Sequence, residues 1–159
     1  MHNINKNFLK GGFKMKVGEC MCHDVNWVKP ETTVNNCAKI MCEQHIGCIP
    51  VCDDNDKVVG IVTDRDILLR NVACDRDAKT TKVSDIMTTN VHCCDINSDI
   101  KDVQSLMANE QVRRIPVIEN GKIAGILTLG DLASNDNIGT QDLCNTIEGI
   151  CGCNKKNAE

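Results

Sequence analysis

The chain states one passage twice, and this repetition restricts its possible folds more than any other feature. At a shift of 66 residues, Val17, Met21, Val25, Met41, Ile49, Pro50 and Val51 fall on Val83, Met87, Val91, Met107, Ile115, Pro116 and Val117. One residue is then lost in a turn. At a shift of 65, Lys57, Gly60, Ile61, Thr63 and Asp66 fall on Lys122, Gly125, Ile126, Thr128 and Asp131. Twelve collinear identities with a single deletion are poorly explained by chance, so duplication is the simplest reading. A chain of 159 residues has room for one domain, or for two small halves that share a core.

Both copies follow one local grammar. A short helix-like lead (Lys16 to Met21; Lys82 to Met87) runs into a short extended segment, Val25 to Val28 or Val91 to Cys94. A helix follows, with Thr32 or Thr33 as its N-cap in the first copy and Ser98 or Asp99 in the second. Its apolar face is Val34, Cys37, Ala38 and Met41, then Ile100, Val103, Leu106 and Met107, at helical spacing. Ile49 to Cys52 and Ile115 to Ile118 read as strands that turn at Asp53 to Asp56 and at Asn120-Gly121, the latter a strong two-residue hairpin signal. Second strands run over Val58 to Val62 and Ile123 to Leu127, and closing helices start at Asp64 and Gly130. Proline near the start of the first strand predicts an edge or strand-end position, because it has no N–H for a ladder.

The most informative stretch is Gly60-Ile61-Val62-Thr63-Asp64-Arg65-Asp66, which returns as Gly125-Ile126-Leu127-Thr128-Leu129-Gly130-Asp131. A buried strand that passes through a tight turn into a helix gathers free N–H groups and the positive end of the helix dipole, which suits an anion. A carboxylate three residues after the threonine can take the two protons of a vicinal diol, as acidic residues do for ribose in dinucleotide folds. Thr-x-x-Asp is equally a capping pattern that satisfies orphan N–H groups. Both readings stand at this point.

The order helix, strand, helix, strand, strand, helix, taken twice with these motifs, resembles a tandem pair of CBS domains, most of all the small stand-alone bacterial CBS-pair proteins. The resemblance covers residues 17 to about 135. It implies an α+β fold of two pseudo-symmetric repeats packed through their sheets. The divisions are a flexible leader over 1–16, repeats over 17–75 and 76–135, and a C-terminal helix and tail over 136–159. It also implies clefts between the repeats that bind adenosine-containing ligands, and frequent pairing of such units into homodimers. By resemblance, Asp66 and Asp131 take the ribose hydroxyls, and Thr63 and Thr128 lie near ribose or phosphate. Arg65, Arg113 and Arg114 are candidates for phosphate, for which a guanidinium fork is well shaped. Arg65 aligns with Gly130, and Gly47-Cys48 aligns with Arg113-Arg114, so the two clefts are expected to differ. The implied ligand is AMP, ADP or ATP, with S-adenosylmethionine or NAD as further adenosine ligands, and no cofactor is required. The implied role is a non-catalytic regulatory module that reports occupancy to a target protein.

Composition narrows the alternatives. Net charge is −4, and since residues 1–16 hold four lysines and no acid, the remainder carries −8. The chain has two Phe, one Trp and no Tyr, so a nucleic-acid partner, which calls for basic charge and stacking aromatics, is not expected. No apolar run approaches the roughly 18 residues of a membrane helix, and no secretory apolar region follows the N-terminal lysines, which predicts a cytoplasmic protein without a membrane partner. No Gly-rich phosphate loop is present, and Asp24 and His23 beside Cys22 are a possible nucleophilic set whose sequence adjacency rarely gives triad geometry, so no catalysis is expected.

Twelve cysteines are many for this length. Cys37, Cys42, Cys48 and Cys52 sit where small apolar residues belong and are read as such. Cys20, Cys22 and His23 could combine with Cys151 and Cys153 as soft metal ligands, although Cys-x-Cys is not the usual zinc spacing. A cysteine-based metal or redox protein on the same scaffold is therefore the rival reading. Residues 140–150 predict an amphipathic helix with Leu143, Ile147 and Ile150 on its packing face.

Overall fold

The structure is a computed structural model that describes residues 14–152. The expected tail beyond Gly152 and the expected leader as far as residue 13 lie outside them. In the first repeat, α1 (Val34–Gln44) leads into β1 (Cys48–Cys52) and β2 (Val58–Thr63), which form an antiparallel pair. Helix α2 (Asp64–Asp66) continues as a π turn over Ile67–Asn71 and a 3-10 turn over Val72–Cys74. The second repeat holds β3 (Cys94–Asp95), α3 (Ile100–Glu110), β4 (Arg114–Glu119), β5 (Lys122–Thr128) and α4 (Leu129–Ser134). Helix α5 (Thr140–Cys151) follows. The result is an α+β fold in which each repeat sets helices against a small sheet.

Local chemistry accounts for most boundaries. Thr33 caps α1 by accepting from the Asn36 N–H, and Asp99 caps α3 by accepting from the Lys101 N–H. Asn120 and Gly121 both have positive φ, 51° and 80°, as a tight hairpin turn with the twist of its strands requires. Val34, Cys37 and Met41 are buried on α1, while Cys42 is exposed, against expectation, because it lies one step beyond Met41 on the outer side of the helix. The edge position expected for proline also fails in the second copy. Pro116 lies on β4, the middle strand of the sheet β3-β4-β5, and is accommodated because the two-residue β3 pairs only with Val117 and Ile118.

The leads are exchanged between the repeats. Val17 and Met21 are buried with Val103, Met107, Ile115 and Leu127 of the second repeat, and Met15, expected in the leader, joins the same core. Val83 and Ile86 are buried with Val34, Met41, Ile49 and Val62 of the first. The backbone bonds repeat the exchange: Val17 N–H donates to Ser98 O at 3.0 Å, and Val83 N–H donates to Thr32 O at 2.8 Å. Beyond each lead the chain crosses a strand of the opposite repeat, with Cys22 pairing to Ile126 and Thr88 to Ile61.

These crossings explain the glycine of the repeated motif. A Cβ on Gly125 would sit 2.5 Å from Cys22 O, and one on Gly60 would overlap the Met87 sulfur. Both are positions of close approach, but only at Gly125 is the obstacle backbone. Helix α5 packs along α3 with Ile150 and Thr146 buried, while Ile147, expected on the packing face, is exposed. The helix is rotated because Gly149 meets Ala108 closely and buried Gln104 donates to Thr146 Oγ1 at 3.2 Å.

Gly125→Ala should therefore lower unfolding free energy by about 1–3 kcal/mol, the usual cost of overpacking, and by more than Gly60→Ala, where a flexible methionine can turn aside. Urea midpoints for the two variants test the order, and equal or reversed losses would refute the crossing as the reason for the glycine.

Candidate functional site

The two copies of the motif line two clefts between the repeats. At the end of β2, Thr63 N–H and Oγ1–H both donate to Asp66 Oδ2, at 2.9 and 2.7 Å, while Asp66 N–H donates to Thr63 Oγ1 at 3.2 Å. Thr128 and Asp131 repeat the arrangement at 2.7, 2.7 and 3.2 Å. The capping reading thus holds in both copies. It commits only one carboxylate oxygen and fixes the direction of the other. The threonine proton is also committed, so each threonine orients its aspartate and has no hydroxyl proton left to donate to a phosphate.

The first cleft has a volume of about 710 Å³. Thr63, Arg65 and Asp66 enter it from the motif, Arg113 from the turn between α3 and β4, and Arg114 from the first position of β4. Thr88, Asn90, Val91 and His92 form the part of its wall that sequence reasoning missed. They follow the second lead and reach this cleft only because the lead crosses to the first repeat. The second cleft, about 400 Å³, is lined by Thr128, Leu129 and Gly130, by His45 to Cys48, and again by Arg113 and Arg114. Asp131 is not on its wall but is held by Thr128, which is. All the proposed phosphate-facing arginines therefore meet in the first cleft, and two of them are also in the second.

The copies differ at one further residue. Arg70 Nη1 lies 3.4 Å from Asp66 Oδ1, the oxygen left free by the cap, and donates to Ile86 O at 2.7 Å and to Thr88 Oγ1 at 3.2 Å. The aligned residue in the second copy is Asn135. An arginine four residues after the motif aspartate on a helix is an i,i+4 partner, a signal already present in the sequence. Just beyond the cleft, Leu68, Leu69 and Val72 are exposed on the π and 3-10 turns, where the second copy has Ala133, Ser134 and Asn137.

The CBS domain family model matches residues 17–72 and 83–136, both copies of the repeat. The chain belongs to the CBS-domain family. The family is characteristically non-catalytic, and its regulatory, ligand-sensing character extends to this CBS pair. The chain is 38% identical over 119 residues to the CBS domain-containing protein YhcV of Bacillus subtilis, covering 75% of this chain and 84% of that one. It is similar to a crystal structure of Hypoxic Response Protein I with two coordinated zinc ions, at 32% identity and TM-score 0.70, covering 75% of this chain and 97% of the other. It is also similar to a crystal structure of CBSX2 in complex with AMP, at 30% identity and TM-score 0.65, covering 74% and 92%.

Among the described residues, no three His, Cys, Asp or Glu side chains converge as a metal site, and no helix is long and apolar enough to cross a membrane. Cys20, Cys22, His23 and Cys151 are accordingly not assembled into a ligand set, and Cys153 lies outside the described residues. The buried thiols of this CBS pair are poor ligands in themselves. Burial pushes Cys37 and Cys52 up to about 11, and Cys48 and Cys94 up to about 12, so they stay protonated at neutral pH. At Cys48, burial is the main cause, opposed by Arg114 and reinforced by Asp66 and Asp64.

Because the unfolded chain releases these protons near the ordinary value of 9.0 and the folded chain holds them, their contribution to stability is complete below pH 9. It is lost as pH rises through about 11 to 12. Urea unfolding between pH 8 and 11 should show falling stability above pH 9, reduced in a Cys48→Ala/Cys94→Ala variant. A profile identical to wild type in that variant would refute the assignment.

Proposed function

We propose that this CBS pair binds an adenosine-containing nucleotide, AMP, ADP or ATP, and reports its occupancy to a target protein. The observation that carries this reading is the cap-oriented aspartate of each repeat, whose Oδ1 the cap leaves uncommitted, with Arg70 3.4 Å from it in the first copy, set beside clefts that also hold arginines. A carboxylate oxygen takes the ribose hydroxyls, the guanidinium groups take the phosphates, and Asn90 and Val91 lie where a base can stack and hydrogen-bond. The similar CBSX2 structure contains AMP, which supports this ligand class. A ligand held by groups from both repeats stabilises the arrangement in which those groups converge, and this differential affinity is what permits signalling. The exposed face of Leu68, Leu69 and Val72, joined to Asp66 through one short helical stretch, is the proposed homodimer surface.

If the carboxylates hold ribose, AMP should bind about tenfold or more tightly than 2′-deoxy-AMP, since a hydrogen bond to a charged group contributes roughly 1.5–3 kcal/mol. Asp66→Asn with Asp131→Asn keeps an acceptor for each cap and should abolish most of that difference. Calorimetry that finds the same ratio in wild type and in the folded double variant would refute the ribose assignment.

Light scattering should give twice the 17.5 kDa chain mass, reduced to a single chain by Leu69→Lys. A single-chain mass for the wild type across a wide concentration range would remove the dimer.

A further inference from the structure

Arg113 and Arg114 line both clefts, and so does Cys48. The repeat itself explains this. Arg114 and Cys48 occupy the same position in the two copies, and they line the same two clefts. Equivalent residues that face each other lie beside the pseudo-twofold axis, and a side chain on that axis borders both of the clefts it relates. A strict duplication would place a cationic pair from each copy there. Here the first copy has Gly47-Cys48, so one arginine pair serves two clefts.

The remaining charges make the sharing consequential. Among the described residues no other Lys or Arg lines the second cleft, whereas the first has Arg65 together with the carboxylates of Asp64 and Asp66. When the pair turns to the second cleft, the first keeps Arg65 beside Asp64, with Arg70 already committed to Asp66 at 3.4 Å. When it turns to the first, the second has no Lys or Arg of the described residues on its wall. Two phosphate chains bound at once also place anions on both sides of the same guanidinium groups.

We infer that the two clefts compete for Arg113 and Arg114, so that a phosphorylated ligand in one weakens phosphorylated binding in the other, while the unphosphorylated nucleoside fills both independently. This rests on the adenine-nucleotide reading above, and linkage makes the effect reciprocal. The response of the module is then graded by phosphate count as well as by concentration, because adenosine leaves the shared pair unclaimed.

The test is calorimetry of ATP and of adenosine binding to the full chain, to Asp66→Ala, and to Asp66→Asn, which retains the Thr63 contact and guards against a folding defect. Weakening the first cleft should tighten ATP binding at the second by about fivefold or more, with adenosine binding there unchanged. A gain of affinity at a distant cleft is not something damage to the fold produces. ATP affinity at the second cleft that is unchanged in both variants would overturn the inference and leave the nucleotide reading intact. An equal gain for adenosine would overturn it too, since the coupling would then run through packing. If neither ligand binds the wild type, the nucleotide reading fails first, and the inference with it.

Discussion

The whole arrangement depends on the exchange of leads. Val17 and Met21 complete the core of a repeat whose helix begins at Ile100, and Val83 and Ile86 complete that of a repeat whose helix begins at Val34. Hydrophobic burial favours any arrangement that covers these side chains. What selects this one is the pair of backbone ladders that follow the leads, Cys22 with Ile126 and Thr88 with Ile61. Those ladders bring Thr88 to His92 across the molecule and so build one wall of the first cleft. Core and site are products of the same crossing, and the glycines at 60 and 125 are the clearance it needs.

Within the clefts, the structural and chemical uses of Thr-x-x-Asp turn out to be complementary. The cap consumes Oδ2 and leaves Oδ1 fixed in direction, so the local rule that ends the strand also orients the group proposed to meet the ligand. The copies then diverge outside the motif. Arg70 reaches Oδ1 in the first and ties it to Ile86 and Thr88, and no arginine stands at the aligned Asn135.

Much of this was legible from residues alone because it is local. Capping by Thr33 and Asp99, the Asn120-Gly121 turn and the apolar faces of α1 and α3 follow from spacing within a few residues. The internal repeat gave the order of elements and pointed to Thr63, Asp66, Thr128 and Asp131. What escaped was non-local. Nothing near Val17 says that its partners begin about eighty positions later, and with the exchange unseen, Asn90 and His92 had no reason to be assigned to a cleft. Ile147 was misplaced because a buried Gln104–Thr146 hydrogen bond outweighed the hydropathy pattern of α5. Pro116 was misplaced because the length of a neighbouring strand cannot be read from the strand itself.

Helix α5 gives an otherwise twofold body two unlike ends. It lies along α3, held by Gln104 to Thr146, Lys101 to Asp142 at 3.3 Å and Gln111 to the Gly152 carbonyl, whereas among the described residues α1 has no helix of this kind over it. A body with two equivalent adhesive ends can add copies indefinitely and grow into a filament. One whose second end carries α5, and has Ala133, Ser134 and Asn137 where the first has leucine and valine, exposes such an apolar face at one end only. If the proposed homodimer forms through that end, the contact is self-complementary and the assembly closes at its first step. In that assembly the C-terminal helix, outside the duplicated unit, would act as a terminator of growth.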